Sequence, residues 1–289
     1  MCFLTGGDLL STSTSIDPEV GTVPHRSVSQ LKSYARCSEQ YRLERVARIR
    51  TPPAAWTIRG TAFHKAVEVW EMSGRTADPM AAYFEEYDRG IEEARQVEPD
   101  ISKWPRPLSW SAETTITRYR EKAADAVRAY VAEATNPECQ WSIAELPDGS
   151  PAIEVPFKIL FGDIEVIGYI DQINDWTNGA TTVRDLKAGA GNDARIQLGT
   201  YKIVANELLG MEVNYGDYWS GKKLGSTGVI DLSRFTREFL EAQYKALDNG
   251  IRNEVYLPSP DESKCKMCGV RQFCREQGDQ WSQALIFSR

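Results

Sequence analysis

Between residues 27 and 49 the chain reads SVSQLKSYARCSEQYRLERVARI, with Leu31, Tyr34, Cys37, Tyr41 and Leu43 recurring at a roughly helical period. Ser27 and Ser29 supply hydroxyls that can cap free amides at a helix start. One helix is therefore predicted over 27–49. After Pro52 and Pro53, the segment 59–74 places Phe63, Ala66, Val67 and Trp70 on a second buried stripe. Two more helices are predicted at about 79–95 and 111–135, the latter rich in Ala, Glu and Arg. From Gln140 the pattern changes to short alternating segments. AIEVPFKIL, DIEVIGYIDQIND and TTVRDLKA read as strands bounded by Asp-Gly, Gly-Asp and Asn-Gly signals. Residues 194–210 return to a helical period and stop on Gly210. EVNYGDYWSG and TGVIDL are further strands, followed by a helix at about 235–249. No segment repeats. This order predicts an α/β (α+β) chain whose helical N-terminal half covers a mixed sheet. It divides into a leader at 1–26, a helical region at 27–138, a sheet-bearing core at 139–250 and a tail at 251–289.

Composition bounds this picture without changing it. The 289 residues, 42% apolar and 26% charged, suffice for one large core or two domains sharing an interface. No apolar run approaches the ~20 residues of a transmembrane helix, so no membrane partner is expected. The leader is rich in Ser, Thr and Gly and lacks a basic stretch followed by an apolar one, so neither a signal peptide nor fixed structure is expected there. A reducing cytoplasm is the expected compartment, where clustered cysteines serve metals more often than disulfides. The net charge of −7 counts mildly against broad attraction to duplex DNA. Local basic clusters qualify that: Arg42, Arg45, Arg48 and Arg50, then Lys222 and Lys223, then Lys264, Lys266, Arg271 and Arg275. They fit solvated faces or a basic groove equally well. No G-x4-G-K-[ST] occurs, so the chain carries no P-loop ATP motor, and a helicase partner would be a separate protein.

Candidate chemistry sits on the strands. In VRDLK the side chains of Asp185 and Lys187 share a strand face while Leu186 points to the other. A carboxylate and an ammonium side by side can hold a divalent cation and stabilise an anion. Asp171 closes a largely apolar strand, where a charge is costly unless paired or metal-bound. Gln197 and Tyr201, at i and i+4, lie on one helix face and can contact a phosphate or base. His64 is one of only two histidines, and with two carboxylates it would suit Mg²⁺ or Mn²⁺, the imidazole favouring Mn²⁺. Three thiols close the chain as C-x2-C-x5-C: Cys265, Cys268 and Cys274.

In this order the residues resemble the RecB-type branch of the PD-(D/E)xK nucleases. The matching patterns are G-x-x-x-H at Gly60–His64, G-x-x-D at Gly168–Asp171, D-x-K at Asp185–Lys187 and Q-x-x-x-Y at Gln197–Tyr201. A cysteine on the first helix, Cys37, with the terminal trio, resembles the iron–sulfur arrangement of the CRISPR-associated RecB-like exonucleases (the fourth-numbered Cas family), and of AddB-type and phage nucleases. The resemblance covers roughly 27–276. Ser38 departs from it, since proline commonly follows the first cysteine there.

The resemblance implies a restriction-endonuclease-like core, a mixed central sheet flanked by helices. It also implies a metal-dependent DNA exonuclease acting on single-stranded ends. Asp171, Asp185, His64 and the Leu186 carbonyl would hold Mn²⁺ or Mg²⁺. Lys187 would orient the attacking water or offset phosphate charge, Gln197 and Tyr201 would position the strand, and Glu154 would stand in an outer shell. Cys37, Cys265, Cys268 and Cys274 would hold a 4Fe–4S cluster of structural role, leaving Cys2 and Cys139 as free thiols. Zinc on the same thiols, or a non-catalytic iron–sulfur adaptor subunit, are the competing readings. CRISPR adaptation, recombination and repair complexes all remain open as settings.

Overall fold

A computed structural model of the chain describes residues 25–189, 195–266 and 268–278. Nearly all of the expected leader, and Cys2 with it, lies outside the described residues. The first helix, α1 (Val28–Arg36), starts where Ser27 Oγ accepts the Gln30 amide at 3.3 Å. It does not continue to residue 49 as its apolar period predicts. Cys37 adopts an extended backbone (φ −167°, ψ 106°), ends α1, and caps a second short helix, α2 (Ser38–Tyr41), with its Sγ 3.5 Å from the Gln40 amide. A π-helical turn, Arg42–Val46, follows. Tertiary contacts account for the break. The Ser38 hydroxyl both donates to and accepts from the Leu257 backbone (3.0 and 2.7 Å). Glu39, fully buried, is clamped by Arg42 and Arg275. The Ser38–Leu257 and Glu39–Arg275 contacts tie the corner to the far end of the chain.

Three long helices come next. α3 (Ala55–Met72) begins directly after the proline pair, earlier than its apolar stripe predicts. α4 (Pro79–Val97) is capped by Asp78, with proline in its first turn, and α5 (Ala112–Ala134) by Ser111. They pack together over Phe63, Trp70, Tyr83, Tyr87, Val127 and Tyr130, all buried.

The sheet comprises β1 (Trp141–Ile143), β2 (Ile153–Phe161), β3 (Ile164–Trp176), β4 (Thr181–Lys187), β5 (Val213–Ser220), and the two-residue strands β6 (Gly225–Ser226) and β7 (Ile230–Asp231). TGVIDL therefore contributes only Ile230 and Asp231 as strand. β3 is the spine: β2 and β1 pair with successive parts of it, and β4 pairs with its C-terminal end, all antiparallel. Among the described residues β2 has no other partner strand, so Pro156 sits where a missing N–H costs no ladder bond. β4 and β5 run parallel, joined by a crossover that includes α6 (Arg195–Leu208). β6 and β7 both pair with β5, antiparallel. Gly210 just past α6 has φ +67°, the left-handed stop that the sequence signals.

Two apolar cores flank the sheet. On one side Leu186, Trp219, Trp141 and Ile153 pack against α3, α4 and α5. On the other, Val183, Val166 and Ile173 pack against α6 and α7 (Arg237–Arg252), with Leu31 of α1. The result is a mixed α/β architecture with helices on both sheet faces, consistent with the PD-(D/E)xK nuclease fold. The tail ends in α8 (Glu262–Lys266) and a 3-10 turn, Arg271–Phe273. Among the described residues no helix is long and apolar enough to cross a membrane.

Candidate functional site

The site forms where two strands part. The β3–β4 ladder ends at Gln172↔Arg184. Beyond it the Leu186 amide donates to a side chain, Asp171 Oδ2, at 2.8 Å. Asp171 is thus not at the end of its strand, as the apolar pattern predicts: β3 continues to Trp176. The extra length holds because polar Gln172, fully buried, donates to the Tyr130 hydroxyl of α5 at 2.8 Å. Parting the strands lets groups from both layers reach one carboxylate. From α6, the Tyr201 hydroxyl donates to Asp171 Oδ1 at 2.9 Å, and the Gln197 amide donates to Tyr201 at 2.7 Å. From α3, His64 Nε2 lies 3.8 Å from Asp171 Oδ2 and 3.0 Å from the Leu186 carbonyl.

His64 Nδ1 contacts Glu154 Oε1 at 2.7 Å. Glu154 has φ +46°, a left-handed conformation rare outside glycine, near the start of β2. Strain of that kind is retained where surrounding structure requires it, and here it accompanies a carboxylate brought onto the histidine. His64, Glu154 and Asp171 offer donor atoms all within 4.8 Å of one another. Glu154, expected to stand in an outer shell, supplies one of these three donor groups. The Leu186 carbonyl stands beside the same cluster, in contact with His64.

Asp185 enters from the neighbouring strand, fully buried, hydrogen-bonded by Lys187 Nζ on the same face. Its second oxygen, Oδ2, has no hydrogen-bond partner among the described residues. Burial raises the Asp185 pKa, the adjacent Asp171 carboxylate raises it further, and Lys187 opposes both. Two buried carboxylates facing each other with an unsatisfied oxygen want a cation between them. At His64, burial favours the neutral ring, but Asp171 and Glu154 outweigh it and push the pKa up to about 9. Ligation at imidazole requires the neutral form, so metal uptake here is coupled to loss of a proton.

One participant escaped sequence reasoning. Lys32 on α1 donates to Gln197 Oε1 at 3.0 Å. Burial and then the Lys187 charge lower its pKa, with Asp185 and Asp171 acting the other way, so it belongs to the same electrostatic unit. No local spacing marks it, because its partners lie more than a hundred residues away.

The cysteines gather elsewhere. Cys37, Cys265, Cys268 and Cys274 all line one cavity, with Leu43 and Val270 beside them, and none is in a disulfide. Burial raises the Cys268 thiol pKa, and Cys37 and Cys274 add to the rise. Cys139 lies apart, its thiol 3.2 Å from the Trp141 carbonyl.

This fold, with convergent carboxylates, lysine and histidine at the strand parting, is that of a metal-dependent nuclease. Residues 25–275 match the PD-(D/E)XK nuclease superfamily, and the chain belongs to it. It is similar to the gene 69 protein of Mycobacterium phage D29, 33% identical over 263 residues that cover 87% of this chain and 97% of the relative. It is also similar to the gene 69 protein of Mycobacterium phage L5, 30% identical over 280 residues, covering 87% and 96%.

Proposed function

We propose that this chain is a DNA exonuclease that hydrolyses phosphodiester bonds at single-stranded ends, using Mn²⁺ or Mg²⁺ and braced by a 4Fe–4S cluster. The observation that carries the catalytic part is the buried Asp171–Asp185 pair, with Asp185 Oδ2 left without a partner among the described residues. Asp171, Asp185, Glu154 and neutral His64 make an oxygen-rich set with one imidazole, which fits Mn²⁺ or Mg²⁺. When bound, the ion would polarise the phosphate and make water more acidic.

The protein's own groups do the rest. Tyr201 and the Leu186 amide fix the two oxygens of Asp171, so the carboxylate needs no reorganisation. Lys187, part-exposed, reaches from Asp185 toward solvent, where its ammonium orients the attacking water or offsets charge on the phosphate. Gln197, held between Tyr201 and Lys32, positions the strand beside the carboxylates.

For the cluster, four thiols on one largely apolar cavity make an all-sulfur donor set. Such a set suits iron–sulfur or zinc, and the resemblance in cysteine spacing favours iron–sulfur. Its role is structural: it ties α1 and α2 to a tail more than two hundred residues away.

The test is degradation of end-labelled single-stranded DNA by anaerobically purified protein with Mn²⁺ or Mg²⁺, alongside metal analysis. Metal-dependent release of nucleotides from ends, by a brown iron- and sulfide-containing protein, is the expected result. Wild-type rates in both Asp171→Ala and Lys187→Ala would sink the catalytic assignment. A colourless zinc protein would sink the cluster and leave the nuclease standing.

A further inference from the structure

An open cavity of about 780 Å³ lies beside α1, between the two sites already described. Its polar lining includes Lys32, Arg36, Gln40, Gln243, Ser263 and Lys264, and among the described residues no carboxylate lines it. Three cations gathered in one lining without an acid are unusual in a chain of net charge −7. The acids next to the lining in sequence are engaged elsewhere: Glu39 is held by Arg42 and Arg275, Glu262 accepts from Lys266 Nζ (2.6 Å), and Asp261 accepts from the Ser263 hydroxyl (2.6 Å) and the Lys264 amide (3.0 Å).

The ends of the cavity are informative. At one end Lys32 bonds Gln197, which bonds Tyr201, which bonds Asp171. At the other, Gln40 and Lys264 also line the four-cysteine cavity. The cationic surface therefore runs from the cysteine end of the molecule to the edge of the catalytic carboxylates. A positive groove leading to a phosphodiester-cleaving site fits a polyanionic strand, and its volume takes a few nucleotides of one strand.

We propose that this cavity is the path along which a single strand of DNA reaches Asp171 and Asp185, its phosphates held by Lys32, Arg36 and Lys264. The proposal rests on the nuclease reading above and adds where the substrate lies. It also gives the cysteine end a second consequence, since α2 and α8 form the far wall of the path.

The experiment measures binding of a fluorescein-labelled oligo(dT) to the full chain by anisotropy, in EDTA so that no cleavage occurs, across a range of salt. The triple variant Lys32→Gln/Arg36→Gln/Lys264→Gln is compared with wild type and with Arg128→Gln/Lys158→Gln, two exposed cations on other surfaces. The triple variant is expected to bind at least ~10-fold more weakly, with the slope of log K against log salt shallower by about 2, roughly 0.7 for each phosphate left without its cation. The distant pair is expected to leave the slope unchanged. Arg36→Gln alone, on the exposed face of α1, should lower the slope by about 0.7 and guards against misfolding of the triple. The charge-conserving set Lys32→Arg/Arg36→Lys/Lys264→Arg should restore binding.

Wild-type affinity and slope in the triple variant would overturn the path while leaving the nuclease reading intact. Equal losses in the triple and the distant pair would overturn it too, as would tighter binding to blunt duplex than to oligo(dT). A wild-type protein that neither binds nor degrades single strands would instead bring down the nuclease reading itself.

Discussion

The catalytic cluster and the cysteine end are held in different ways. Asp171 is fixed by a backbone amide and a tyrosine, His64 by two acceptors, and all sit between two large apolar cores. The cysteine end has only Leu43 and Val270 as fully buried apolar residues of its own among the described residues. A five-residue helix and a single 3-10 turn carry three of the thiols or flank them. A few polar clasps join it to the body: Ser38 with Leu257, and Glu39 with Arg42 and Arg275. One end is preorganised by packing. The other has too little buried apolar surface to fix four thiols by packing alone, so a bound cluster would supply much of its rigidity.

Substitutions can break that contrast. The largest effect is expected for Asp185→Asn, which removes a buried charge opposite Asp171 and the partner of Lys187. Cleavage of labelled single-stranded DNA should fall by about 10³-fold or more, with the melting temperature preserved or raised. Next, Cys37→Ala should cost the iron and the stability together. Closing so long a loop is worth about 5 kcal/mol by analogy with disulfides, read as a lower urea midpoint and bleached visible absorbance. Full iron content at wild-type stability would show that the end holds itself.

Tyr201→Phe leaves the ring and removes one bond to Asp171. A loss of about 10- to 100-fold in activity or metal affinity is expected, typical of a partner that orients a ligand, with little change in stability. The most conditional effect concerns Glu39. Burial raises its pKa, but the hydrogen bonds and charges of Arg42 and Arg275 prevail and hold it below the ordinary glutamate value. Its contribution to stability is therefore complete above about pH 4.3 and is lost as pH falls through the folded value. Glu39→Gln should cost about 3 kcal/mol near neutrality. The gap to wild type in urea unfolding should narrow as pH falls below that of an ordinary glutamate.

What could be read in advance follows from how local each signal is. Asp185 and Lys187 are two apart on a strand, and Gln197 and Tyr201 four apart on a helix, so each pair is legible from the period of its own element. The four cysteines were legible from spacing and resemblance, and the structure brings them to one cavity. The break at Cys37 was not, because the apolar period from Leu31 to Leu43 runs straight across it. Only the buried Glu39 clamp and the Ser38–Leu257 bonds, both closed by distant residues, explain the corner. Glu154 reads as one more polar position on an alternating strand, and nothing in sequence foretells its left-handed backbone. Gln172 and Asn174 are polar positions on β3, and the bond from the Gln172 amide to Tyr130 comes from another layer that no local pattern reveals.

The hydrogen bond from Leu186 N–H to Asp171 has one more consequence. In an ordinary ladder that amide would face a carbonyl whose charge never changes. Here its acceptor is a side-chain carboxylate, the one proposed to hold the metal. A change at Asp171 is therefore registered at a main-chain proton near the end of a buried strand, out of reach of solvent. The Leu186 amide resonance is a built-in gauge of the site's occupancy, readable in solution without a substrate or a turnover.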